Sequence, residues 1–129
     1  MTSRRERLRK LVVVQEQLKS LHETRHAGYV VAAAAASADA QELAARFGAE
    51  GSLAGLFPEI YNRRISTALG KAQANLRLAE TEAQRIATAT ARTNMVERAW
   101  RDAARLDERA NTERELLELL GRKTGDDAK

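Results

Sequence analysis

The pentapeptide HETRH, residues 22–26, has residue types and a spacing that could do metal chemistry. It fits H-E-x-x-H, in which two histidines four apart share a helix face and hold zinc while the glutamate serves as general base. His22 and His26 are the only histidines of the 129-residue chain, and it has no cysteine. No third ligand and no strand-built cleft for a peptide is evident, and a pattern that fixes three positions recurs by chance. The match is expected to be accidental, with no metal, no cofactor and no catalytic residue. A phosphate-cradling glycine loop, a dinucleotide fingerprint and a nucleophile elbow are all missing from the sequence, so no enzymatic activity is expected.

A second candidate is charge. The opening RRERLRK sets Arg4, Arg5, Arg7, Arg9 and Lys10 at the start of a helical pattern. Cations oppose the helix dipole there, so the run is either a solvated end or a docking site for an acidic protein or a phosphate backbone. No aromatic residues interleave with it, which argues against single-stranded nucleic acid. The net charge of +4 is uneven. Residues 1–26 hold seven Lys/Arg against three acids, residues 27–62 one against four, and residues 63–129 fourteen against eleven.

A third is exposed apolar surface. Leu53, Leu56, Phe57, Ile60 and Tyr61 form one concentration, and the ERELLELL segment supplies Leu116, Leu117, Leu119 and Leu120. Each is a docking site if the fold leaves it unmatched.

The elements that position these residues follow from composition. Aromatics are 4% and charged residues 31%, the balance of long helices rather than of a thick core. The longest uncharged run, residues 27–38, is too short for a membrane helix. With no signal-peptide core either, a cytosolic protein is expected. Gly48, Gly51, Gly55 and the single proline, Pro58, cluster mid-chain. On either side lie two helical stretches.

The first stretch reads as helix from 3 to 47, with a stripe of Leu8, Leu11, Gln15, Leu18, His22, Arg25, Tyr29, Ala32, Ala36 and Leu43, and Gly48 as its cap. The second reads as helix from 58 to 121, with Pro58 in its first turn. Its seam is Ile65, Leu69, Ala72, Leu76, Ala79, Ala83 and Ile86, with a phase slip across 88–93 before Val96, Trp100, Ala103 and Ala110. At 1.5 Å per residue these would run roughly 68 Å and roughly 95 Å. Neither stripe is stable in water, and a hinge at 48–57 makes the two antiparallel neighbours. The expected fold is all-α: one domain, 1–129, a long antiparallel two-helix coiled-coil hairpin with a longer C-terminal helix and a disordered tail at 122–129. Folding about residue 54 pairs positions that sum to about 108, such as Leu8 with Trp100.

The basic start RRERLRKLVVVQEQL, the central hinge, the longer second helix and the segment ERAWRDAARLDERANTERELLEL together resemble the FliJ/YscO family of type III (flagellar-type) export stalk proteins. The resemblance implies a non-enzymatic stalk at the cytoplasmic face of the inner membrane. Its basic open end would enter a hexameric export ATPase, and its tip or body would meet the cytoplasmic domain of the export gate. Carried onto this chain, Arg4, Arg5, Arg7, Arg9, Arg105, Arg109 and Arg114 would face the ATPase, and Leu56, Phe57, Ile60 and Tyr61 the gate. Leu116, Leu117 and Leu120 would add apolar contact at the ATPase end. Two other classes stay open: a basic nucleic-acid-binding hairpin, marked by steep salt dependence, and a self-assembling structural coiled coil, marked by stable oligomers without an ATPase.

Overall fold

The computed structural model describes residues 3–49, 51 and 53–127. Two long helices account for nearly all of them: α1 (Arg4–Phe47, 44 residues) and α2 (Pro58–Asp127, 70 residues), with a 3-10 turn at Leu53–Gly55 between them. No strand occurs among the described residues. The two helices pack against each other.

Local chemistry sets the boundaries. At the start of α1 the Ser3 hydroxyl accepts a hydrogen bond from the Glu6 backbone N–H at 3.2 Å. Ser3 and Glu6 have capping-box spacing, and Glu6 places a negative charge at the positive end of the dipole. Arg46 sits in the last turn of α1, where a cation is favourable, and its Nη2 donates to Glu42 at 2.6 Å. Pro58 is the first residue of α2, where its missing N–H breaks no helical bond. Between the helices Ala49 N–H reaches the Arg46 carbonyl at 3.2 Å, and Leu56 N–H the Leu53 carbonyl at 3.0 Å.

Among the described residues the one that adopts the left-handed backbone is Gly51, at φ 75°, rather than the expected cap, Gly48. A β-carbon there would be strained even though the space around it is open. At the other end, α2 continues to Asp127, so residues 122–127 are helical where a disordered tail was expected; residues 128–129 lie outside the described set. Gly121 and Gly125 raise the cost of that last stretch without forbidding it. The Thr124 hydroxyl donates to the Leu120 carbonyl at 2.7 Å within it.

Burial follows a 4–3 rhythm on both helices, one residue away from the expected stripe at alternate positions. On α1 the buried and half-buried side chains include Leu8, Val12, Gln15, Lys19, His22, His26, Tyr29, Ala33, Ala36, Ala40 and Leu43. Leu11, Leu18, Arg25 and Ala32 face out. On α2 the corresponding set is Tyr61, Ile65, Ala68, Ala72, Asn75, Ala79, Glu82, Ile86, Ala89, Thr93, Val96, Trp100 and Ala103. Leu69, Leu76 and Ala83 are exposed. With Ala68, Asn75 and Glu82 on the seam, Ile86, Ala89, Thr93 and Val96 follow in phase, and the expected slip across 88–93 does not occur. Of the nine buried apolar residues among those described, eight are alanine and one is Leu43, so the seam is thin. Most leucines and valines, among them Leu11, Val13, Val14, Leu18, Leu69 and Leu76, line the outside.

Contacts divide the chain into two units, each described in turn. Gln17–Ala89 is a helical hairpin that contains the turn. Its two ends are marked by cross-helix pairs: Phe47 packs edge-on to Tyr61, with ring centroids 6.3 Å apart, and His22 meets Glu82. These residue numbers sum to 108 and 104, within one helical turn of the expected register. The other unit joins Met1–Glu16 to Thr90–Lys129. Its helix segments carry half-buried Leu8, Val12, Val96 and Trp100 and buried Ala103 and Thr93. Trp100 keeps its buried indole N–H without a hydrogen-bond partner.

Candidate functional site

The cluster with the most developed polar geometry lies on the hairpin seam. His22 Nδ1 stands 2.6 Å from Oε2 of Glu82, and Arg85 Nη1 stands 2.8 Å from Oε1 of the same carboxylate. The Glu82 side chain is only 3% exposed, while that of Arg85 is 53% exposed and carries the charge to solvent. A carboxylate accepts and does not donate, so His22 Nδ1 carries the proton in this bond. Burial pushes the Glu82 carboxyl up, but the hydrogen bonds from His22 and Arg85, with the Arg85 and His22 charges, outweigh it and hold the carboxyl below its ordinary value.

This geometry assigns the HETRH motif differently from a zinc site. His22 is directed at a carboxylate on the other helix, and Glu23 turns outward, 4.0 Å from Lys19. His26 is half-buried one turn along the same stripe. Among the described residues no three His, Asp or Glu side chains converge closely enough to hold a metal ion. Glu82 and Arg85 escaped the sequence reading because charged residues are rarely buried unless paired. The partner lies 60 residues away in sequence. The available signal was His22 itself, a polar residue on a helical seam.

The residues expected at the ATPase end fall in the unit that joins the two chain ends. Arg4, Arg5, Arg7 and Arg9 are exposed on the first turns of α1, and Arg105, Arg109 and Arg114 are exposed on α2. Arg4 and Arg5 line one groove with Asp102 and Asp107, so opposite charges share that surface. Arg105 lies 3.9 Å from Asp102, with both side chains more than 70% exposed. Such a pair contributes little to stability. From Arg105 to Gly125 every side chain is exposed, including Leu106, Leu116, Leu117, Leu119 and Leu120.

At the tip the structure brings most of the expected apolar residues to the surface. Leu53, Leu56, Phe57 and Ile60 are exposed, with Leu56 at 72%. Tyr61 differs, being half-buried against Phe47. Beside the tip a groove holds Asp39, Glu42, Arg46, Arg63, Arg64 and Lys71, a mixed-charge lining. No helix among the described residues is long and apolar enough to cross a membrane. Comparison with protein-family models, curated proteins and solved structures finds no match to this chain.

Proposed function

We propose that this chain is a non-enzymatic stalk: an antiparallel coiled-coil hairpin whose basic open end docks in a hexameric export ATPase and whose apolar tip meets an export gate. The observation that carries this reading is the run of exposed helix from Arg105 to Gly125, which presents five leucines to solvent amid arginines. A helix of that length gains little from propensity alone and draws its stability from packing an apolar face. A ring-shaped partner with an apolar, acid-rimmed hole would supply that packing. The leucines would contribute buried area, and Arg4, Arg5, Arg7, Arg109 and Arg114 would orient the approach. The two 4–3 burial stripes support the coiled-coil part of the proposal, and the tip leucines support a second contact surface.

The test is a pull-down with a purified export ATPase, using the parent chain and a truncation lacking residues 115–129. The truncation is expected to keep most of its helicity by circular dichroism and to lose binding. Undiminished binding by the truncation would remove the leucines from the interface. A second reading, self-assembly into a larger coiled coil, is favoured by Leu69, Leu76 and Met95, which stand exposed outside an alanine seam. Sedimentation equilibrium distinguishes it, through a concentration-dependent oligomer formed without any ATPase.

A further inference from the structure

We propose that His22 and His26 are two alternative notches for the buried carboxylate of Glu82, giving the hairpin two registers one helical turn apart. The structure holds the first, with His22 Nδ1 at 2.6 Å from Glu82 Oε2. His26 is four residues further along the same half-buried stripe. Sliding α1 by one turn, about 6 Å, carries His26 to the place that His22 occupies. Arg85 follows Glu82 in either register, because both lie on α2, three residues apart.

Three features of the unit Gln17–Ala89 support such a slide. First, its buried apolar residues are alanines apart from Leu43. Small buried side chains interlock weakly, and beside them only half-buried Tyr29, Tyr61, Ile65 and Ile86 add bulk to the apolar seam, so apolar packing permits a second, less populated register. Second, Arg85 meets Oε1 of a carboxylate that is 3% exposed, so positions that leave Oε2 facing only alanine are disfavoured. The slide is therefore stepwise, from one histidine to the other. Third, the turn between the helices holds Gly48, Gly51 and Gly55, none with a neighbour within 4 Å of a built β-carbon. Glycines of that kind absorb backbone change at low steric cost. One-turn displacements of one packed element past another are a known form of conformational switching.

The inference rests on the packing of this unit and not on the stalk reading, so either can fail alone. The chain has no cysteine, so paired spin labels can be placed without removing native thiols. Ser20→Cys on α1 and Gln73→Cys on α2 are exposed positions in this unit, offset along the hairpin axis. Pulsed electron–electron distance measurement on the full chain is expected to give one main distance for the parent, and the same distance for His26→Ala. His22→Ala should lengthen it by about 6 Å, one turn of four residues. His22→Gln, which can still donate to the carboxylate, should restore the parent distance. Adding His26→Ala to His22→Ala should abolish the lengthened population. An unchanged distance in His22→Ala would overturn the proposal. So would an equal shift in the double variant, or loss of helicity in His22→Ala, since His22 would then be a structural requirement and not a notch.

Discussion

His22 and Glu82, 60 residues apart in sequence, are joined by a 2.6 Å bond across the seam of the hairpin. That bond gives His22, the first residue of HETRH, a partner on the other helix. It also fixes which faces of α1 and α2 meet.

The first prediction concerns that face. Ala33 is buried at 4% exposure, whereas Ala32, its neighbour, points outward. Enlarging Ala33 to Leu should destabilise the fold by about 1–3 kcal/mol through overpacking. Ala32→Leu should stay within about 0.5 kcal/mol of the parent, as exposed substitutions do. Urea unfolding of the two variants checks this, and equal losses would mean that the seam is not where we place it.

The second concerns pH. The Glu82 carboxyl titrates below its ordinary value of 4.5 in the folded chain. A lowered folded value means that the charged carboxylate stabilises the fold at pH above the unfolded value. That contribution is lost as pH falls through the lower folded value. The parent should therefore lose melting temperature on acidification below about pH 4.5 more steeply than Glu82→Gln, which cannot titrate. Parallel Tm-versus-pH curves for the two proteins would refute the assignment.

The third concerns glycine. Gly51 adopts φ 75°, and Gly70 lies in the interior of α2 with nothing within 4 Å of a built β-carbon. Gly70→Ala should stabilise the chain by about 0.5–1 kcal/mol, from reduced unfolded-state freedom and better helix propensity. Gly51→Ala should destabilise it by about 1–2 kcal/mol, because an L side chain is strained in that region. Thermal melts of both, in opposite directions, are the expected result.

The inner helix boundaries were legible because they rest on local chemistry, the Pro58 first turn and the glycine cluster, whereas the end of α2 at Asp127 was not. The seam was legible in its rhythm but not in its phase. Reading leucines as core favoured Leu11, Leu18, Leu69 and Leu76, whereas the helices bury Val12, Lys19, Ala68 and Asn75 at least in part. A chain rich in alanine offers several stripes of similar hydrophobicity, and close approach of the backbones selects the one with the smallest side chains. The apparent slip across 88–93 came from that same error. Glu82 was not legible at all, since its burial depends on His22 and Arg85 being in place.

The central claim, that the basic open end docks in an export ATPase, is tested most directly by affinity against salt. The measurement is the Kd of the full chain for a purified cognate hexamer between low and physiological NaCl, for the parent and for the Arg4→Glu, Arg5→Glu, Arg7→Glu triple variant. The account predicts tight parent binding that weakens steeply as salt screens the arginines, and weaker, flatter binding by the variant. Equal affinity and equal salt dependence for the two proteins would contradict it.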